Sequence, residues 1–241
     1  MKIAVLSDIH GNLEALEAVG ADLEKRGAEK ALCLGDLVGY GPDPEAVVTR
    51  IRELGYMAIL GNHEAALAGG RILASMNFQA RENSVSTKAL LSADNLHYCR
   101  QLPRTITLEG ALFVHGCPPD SITAYLYLLP DERVVELFEK DCRQLFFVGH
   151  THQLKLVYLK AGRVIRDYLG EGVRMLSRDQ KYLLNCGSVG QPRDRDGRAK
   201  YLIWDSGKGS VEVRAVRYDA EKTAEKIIRR GFPISFADRL R

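Results

Sequence analysis

No stretch of this chain stays apolar for the ~20 residues that a helix needs to cross a bilayer, and the chain opens on a strand pattern where a signal peptide would stand. Neither sign of charge dominates. The 34 Lys and Arg against 31 Asp and Glu leave a net charge of +3, far from the basic field of a dedicated nucleic-acid binder. Cysteine shows no framework: Cys33, Cys99, Cys117, Cys142 and Cys186 are odd in number, scattered, and free of any C-x-x-C pair. Reduced thiols in a cytoplasmic protein are the expectation, with no disulfide network and no thiolate metal site. Internal repeats, low-complexity linkers and composition breaks are missing too, so residues 1–241 are expected to form one α/β domain with a sizeable core.

What is present is a series of short apolar runs, each ending in a potential ligand. Ile3 to Leu6 stops at Ser7 and delivers Asp8-Ile9-His10; in a strand, residues i and i+2 share a face, so Asp8 and His10 can point the same way. Leu13, Leu16, Val19 and Leu23 then recur at helical spacing until Lys25-Arg26-Gly27 closes the helix. The unit repeats. Ala31 to Leu34 ends in Gly35-Asp36, and Asp43-Pro44 reads as N-cap and first position of a helix that carries Val47, Val48, Ile51 and Leu54. Tyr56 to Leu60 delivers Gly61-Asn62-His63-Glu64. Such strand–helix repeats imply crossovers and parallel pairing.

Residues 65–103 are helical in composition but irregular, and are expected to form an inserted helical segment near these strand ends. Strands resume at Thr105 to Leu108 and at Ala111 to Val114, which runs into His115-Gly116. After a loop from Cys117 to Pro130 and a helix over Asp131 to Asp141, Leu145 to Val148 leads to Gly149-His150-Thr151-His152. The rest reads as antiparallel: a hairpin of Leu154 to Leu159 with Arg163 to Leu169, strands at Tyr182 to Asn185, Ala199 to Trp204 and Val211 to Tyr218, a surface helix over Asp219 to Arg230, and a tail.

Five of the six histidines, His10, His63, His115, His150 and His152, fall in these strand-end motifs; His97 does not and reads as structural. Strand carboxyl ends gather on one edge of an α/β sheet, so the side chains should converge. Carboxylate, imidazole and amide oxygen without thiolate suit hard to borderline divalent ions: Mn, Fe, Co, Ni or Zn. So many candidate ligands are too many for one ion and fit two, held about 3.5–4 Å apart with a shared carboxylate.

In order and spelling these motifs resemble the signature of the calcineurin-like metallophosphoesterase superfamily: Asp8-Ile9-His10, Gly35-Asp36-Leu37-Val38, Gly61-Asn62-His63-Glu64, His115-Gly116 and Gly149-His150-Thr151-His152. Gly39-Tyr40-Gly41-Pro42 and Gly187 to Arg193 look like the small prokaryotic phosphoesterases of the diadenosine-tetraphosphatase-like branch, whereas the Arg-containing second motif of phosphoprotein phosphatases is absent.

The resemblance implies a four-layer αββα sandwich, two mixed β-sheets flanked by helices. It also implies that Asp8, His10, Asp36 and His152 hold one metal and that Asp36, Asn62, His115 and His150 hold the other, with Mn the first choice in vitro. A water or hydroxide between the ions would then attack phosphorus in line, with His63 as the catalytic side chain that contacts a phosphoryl oxygen or protonates the leaving alkoxide. The expected substrates are small phosphodiesters or nucleotide-derived esters and anhydrides, with neither a membrane nor a dedicated nucleic-acid surface as partner. Several roles stay open between two readings. Glu64 orients His63 or is solvated; Arg193 pairs with a substrate phosphate or belongs to a solvated, internally paired loop with Asp194, Arg195 and Asp196; Tyr40 stacks on a base or packs at its loop; the cluster Tyr125-Leu126-Tyr127 reads as core or interface in preference to a nucleobase platform. A non-catalytic scaffold of the same fold and a nuclease for short oligonucleotides are the competing functions.

Overall fold

The computed structural model describes residues 1–194 and 196–241. In β1 (Lys2–Leu6), Ile3 and Val5 face one way and Ala4 and Leu6 the other, and all four are fully buried. A strand covered on both faces explains why its sequence is continuously apolar. Parallel to β1 run β2 (Lys30–Cys33) and then β3 (Met57–Ala58); antiparallel on its other side lies β11 (Ala199–Asp205), followed by β12 (Ser210–Val216) and β9 (Gly172–Met175). The second sheet has the order β4 (Thr105–Leu108), β5 (Ala111–Val114), β6 (Leu145–Val148), β10 (Tyr182–Cys186), β7 (Leu154–Lys160) and β8 (Arg163–Tyr168).

Three apolar layers hold these sheets. Between them, Ile3, Val5, Leu32 and Leu34 meet Phe113, Phe147, Leu156 and Leu184, and the Phe113 and Phe147 rings stack at 4.9 Å. On the outer side of the first sheet, Ala4 and Leu6 pack on Leu16 and Val19 of α1 (Leu13–Arg26) and on Val47, Val48 and Ile51 of α2 (Pro44–Glu53). Outside the second sheet, Leu112, Val114, Phe146 and Val148 meet Val134 and Phe138 of α7 (Asp131–Lys140). The architecture is therefore α/β, a helix–sheet–sheet–helix sandwich with two mixed six-stranded sheets. At about 1.5–3 kcal/mol for each large apolar side chain fully buried, these layers are the main source of stability.

The 65–103 stretch is helical as expected: after α3 (Asn62–Ala66) come α4 (Gly70–Ser75), α5 (Phe78–Ala89) and α6 (Ala93–Gln101). Three expectations need correction. The second half is not wholly antiparallel, because β10 pairs parallel to β6 in the register Tyr182↔Leu145. A further strand, β9, occupies Gly172–Met175, where three of four residues are exposed and no apolar alternation marks it. The expected tail contains α9 (Ile234–Asp238), and α8 (Ala220–Arg229) buries Thr223, Ala224 and Ile227 while Lys226 pairs with Glu14 at 2.5 Å and Asp43 at 2.8 Å. Those two acids stand near the N-termini of α1 and α2, so the C-terminal helices are tied down beside the strand ends. No described helix is long and apolar enough to cross a membrane.

Candidate metal centre

β1, β2 and β3 run parallel, as do β5 and β6, so five strand ends open onto one edge of the sandwich. The loops that follow are laced together by backbone bonds: Asp8 N–H donates to Gly35 O (3.2 Å), His10 N–H to Asp36 O (2.9 Å), and Gly149 N–H to His115 O (2.8 Å). Turning side chains inward from so tight a lattice forces the left-handed backbone. Asp8, His10, Asp36, His150 and His152 all have φ between 50° and 65°, as does Tyr40 at 60°. Asp and His tolerate this region better than most residues, yet each such residue costs about 1–3 kcal/mol that the surrounding structure must offset. Strain of this kind concentrates at functional sites.

The inward atoms form a continuous cluster. Three groups each gather ligand atoms within 4.8 Å of one another: Asp8, His10 and His152; His10, Asp36 and His63; and Asp36, His115 and His150. His10 gives its Nδ1 to Val38 O (3.0 Å) and His152 its Nδ1 to Gln191 O (2.6 Å), so each ring keeps its proton there and turns an Nε2 lone pair inward. Those two lone pairs face each other at 3.2 Å, with Asp8 Oδ1 3.3 Å from His152 Nε2. His115 Nδ1 is likewise committed to Leu34 O (2.7 Å), and its Nε2 faces Asn62 Oδ1 (3.1 Å), His150 Nδ1 (3.2 Å) and Asp36 Oδ2 (3.3 Å). Asp36 Oδ2 also lies 3.7 Å from His10 Nε2 and so stands between the two outer groups. Asp8 Oδ1 and Asp36 Oδ2 are buried with no hydrogen-bond partner among the described residues. Converging acceptors, fixed tautomers and orphaned carboxylate oxygens fit divalent cations, and the oxygen and nitrogen donor set without thiolate fits hard to borderline ions.

The electrostatics agree. Burial raises Asp36, but the charges of His115 and His63 overcome it and hold the carboxyl well below its usual range. Burial lowers His115, but the charge of Asp36 lifts it to about 9, so without a cation this ring carries a proton in the cluster. Burial pushes Asp8 up to about 7, opposed by His115 and reinforced by Asp36. Burial and then His115 push His150 down to about 3, and burial likewise holds His10 and His152 well below the usual histidine range.

Neither open reading of Glu64 survives. It is fully buried, and its carboxylate accepts from the backbone N–H of Asp36 (2.8 Å), Gly61 (3.0 Å) and Val38 (3.1 Å), so it shapes the Asp36 loop instead of orienting His63. Glu64→Ala would orphan three buried donors at about 1–3 kcal/mol each before relaxation. The expected result is a thermal midpoint lower by about 10 °C, at about 2–4 °C per kcal/mol for a chain of this size, with Glu64→Gln intermediate. An unchanged melting curve would contradict this assignment.

The remaining residues divide. Tyr40 is buried, with its ring 4.6 Å from that of His63 and 4.7 Å from that of His10; Asn83 Oδ1 accepts from its N–H at 2.6 Å and Phe236 of α9 packs on it at 4.9 Å. Arg193 is exposed, touches Gln191 Oε1 at 3.4 Å, and depresses the pKa of Asp8, His10, His63 and His152. It has no carboxylate partner among the described residues, while Asp194 pairs with Lys200 and Asp196 with Arg198. Arg195 lies outside the described residues. His97 is exposed on α6 and joins none of the three ligand groups. Tyr125 is the residue that sequence reasoning misplaced: its ring stacks on His150 at 4.1 Å, at the site and not in the core. Gln191 and the carbonyls of Val38 and Leu34 were also missed, since backbone acceptors leave no trace in residue type.

Comparison with known proteins points the same way. The calcineurin-like phosphoesterase superfamily domain matches residues 1–209. An uncharacterized protein of Methanocaldococcus jannaschii is 39% identical over 242 residues, covering 99% of this chain and 96% of its own length. The crystal structure of a metallophosphoesterase from Sphaerobacter thermophilus superposes with a TM-score of 0.86 at 35% identity, over 100% of this chain and 98% of that one. A hypothetical protein of Pyrococcus horikoshii OT3 shares the fold at a TM-score of 0.78 and 20% identity, over 99% of this chain and 97% of its own. The chain belongs to the calcineurin-like phosphoesterase superfamily.

Proposed function

We propose that this protein is a dinuclear metal-dependent hydrolase of small phosphate esters. The observation that carries this reading is the pair of outer groups, Asp8–His10–His152 and Asp36–His115–His150, joined through the unpartnered Oδ2 of Asp36. Asp8, His10, Asp36 and His152 would hold one ion, and Asp36, Asn62, His115 and His150 the other. Bound divalent ions supply Lewis-acid stabilisation of phosphoryl charge and an activated water nucleophile. Mn, Fe, Co, Ni and Zn all match the donors, and Mn is the first choice for reconstitution.

The chain's own residues supply the rest. Arg193, exposed and unpaired by any carboxylate among the described residues, is placed to receive a phosphoryl oxygen through its planar donors. His63 Nδ1 is buried close to Gly39, where an added Cβ would fall 2.1 Å from it, and has no partner among the described residues. An orphaned N–H there would be costly, so the imidazole keeps its proton on Nε2 and offers that atom to the substrate. Burial holds His63 below its usual pKa, and an anionic phosphoryl group beside it opposes that shift. With that charge offsetting the cost of an unpartnered Nδ1–H, His63 would take up a proton at Nδ1 as substrate binds and release its Nε2 proton to the leaving alkoxide. Accordingly, His63→Ala should lose about 10²–10⁴-fold in kcat on esters of poor leaving groups and much less on 4-nitrophenyl esters. Equal losses on both would remove the acid role. The reading as a whole is tested by assaying phosphomonoesters, phosphodiesters, 2′,3′-cyclic nucleotides and dinucleoside polyphosphates with each metal in turn; equal turnover by carefully demetallated protein would defeat it.

A further inference from the structure

β11 breaks its own pattern at the end nearest the metal centre. Ala199, Tyr201 and Ile203 pack toward the helices while Leu202 and Trp204 pack between the sheets, so alternation sends Lys200 inward, to a place where an apolar side chain is expected. Val5 stands opposite Leu202, which sets Lys200 level with the segment that leaves β1 toward Asp8. Its side chain is only 1% exposed, and its ammonium is met by Asp194 Oδ1 at 2.8 Å and by the carbonyl oxygen of Asp196.

Arg193 lies between this ion pair and a second anchor. Upstream, Gln191 N–H donates to Ser188 Oγ (2.8 Å) and Gln191 O accepts from His152 Nδ1 (2.6 Å), and Pro192 then fixes its own φ. Ser188 joins the two anchors, because its Oγ donates to Asp8 O (2.8 Å) and its O accepts from Lys200 N–H (2.9 Å). Downstream, the nearest side chain held from below is Asp194, on Lys200. The guanidinium has one weak contact of its own, with Gln191 Oε1 at 3.4 Å, so its aim depends on where the backbone on either side is held.

An ion pair this deep is a poor source of stability, since desolvation cancels most of its attraction and apolar residues of like volume often do as well. What it supplies is a single geometry. Any arrangement that withdrew Asp194 would leave a bare ammonium between the sheets, so the chain after Arg193 is held in one place. We propose that Lys200 is a positioning residue for Arg193: by holding Asp194 from within the sandwich, it fixes the guanidinium beside the metal centre in reach of a phosphoryl oxygen. This rests on the reading of Arg193 as the phosphate contact.

The test titrates inorganic phosphate calorimetrically into the manganese-reconstituted full chain. Arg193→Ala and Lys200→Met are each expected to weaken phosphate about tenfold, the size of one lost charge-assisted contact. Combined, they should still weaken it about tenfold and not about a hundredfold, because residues that act through one another are not additive. Turnover of bis(4-nitrophenyl) phosphate should show the same pattern in kcat/KM, with manganese content unchanged by elemental analysis. The double variant Lys200→Met with Asp194→Leu removes both charges; it should melt near the wild type yet bind phosphate as weakly as Lys200→Met, and it decides alone if Lys200→Met fails to fold. Wild-type affinity in that double variant or in Lys200→Met, or a hundredfold loss when Lys200→Met joins Arg193→Ala, overturns the proposal. Unchanged affinity in Arg193→Ala, or none in the wild type, overturns it together with the phosphoryl role of Arg193. If no ester is hydrolysed with any metal, the phosphoesterase reading falls, and the phosphate titrations still decide for or against Lys200.

Discussion

Asp36→Asn is expected to lower metal-dependent kcat/KM on a phosphodiester by about 10³-fold, equivalent to about 4 kcal/mol of lost transition-state stabilisation. The substitution is chosen because it separates chemistry from folding. Asp36 Oδ1 accepts from His63 N–H at 2.9 Å, and an asparagine oxygen can do the same, so the short helix that begins at Asn62 should remain in place. The other oxygen has no such substitute. Oδ2 stands 3.3 Å from His115 Nε2 and 3.7 Å from His10 Nε2, and it is the one atom facing both outer groups. An amide there removes the charge that either group would share and turns an N–H₂ toward ligand lone pairs. Metal content should drop below two ions per chain in elemental analysis, while circular dichroism stays native. A variant that keeps both its metal and its turnover would show that the carboxylate does not bridge.

Stripping the protein of divalent ions should lower its thermal midpoint by about 8–16 °C. That figure follows from one site held at about a thousandfold above its dissociation constant, worth about 4.1 kcal/mol, at about 2–4 °C per kcal/mol for a chain of this size. The effect has a sign in pH. Without metal, His115 holds a proton up to about pH 9 and Asp8 up to about pH 7, because burial and their neighbours set those values. A cation must displace both protons, so its affinity falls as pH drops from 9 toward 6, by up to about tenfold per unit for each proton released. The gain in melting temperature from a fixed concentration of Mn should therefore be larger at pH 8.5 than at pH 6. A shift of equal size at both pH values, or none at either, would count against these ligands.

The strand ends were readable because each apolar run is short, is bounded by glycine, and ends in a residue type that has little reason to follow a core strand. Ile3 to Leu6 before Asp8 and Leu145 to Val148 before His150 carry their own boundaries. The two-sided burial of β1 follows from the same run, since no polar alternation interrupts it. What escaped was set by partners distant in sequence. β9 has no pattern of its own and exists because β12 offers a free edge, with Ser210 opposite Met175. The parallel register of β10 on β6 is fixed by a crossover, not by local spacing. Tyr125 over His150 and Phe236 over Tyr40 are single contacts across the fold, and Glu64 serves three backbone donors that any sequence would contain.

The two sheets divide the candidate ligands between them. Asp8, His10, Asp36 and Asn62 follow strands of the first sheet, while His115, His150 and His152 follow strands of the second, so neither outer group can be completed from one sheet alone. The chain also sorts them by position: a cut between residues 103 and 104 would leave all of the first set on one fragment and all three histidines on the other. The β1–β11 ladder, from Lys2 opposite Asp205 to Val5 opposite Leu202, would still offer the fragments a seam along which to rejoin. Under the proposed ligand set, reunion of two separately made halves would depend on a divalent ion as well as on that seam.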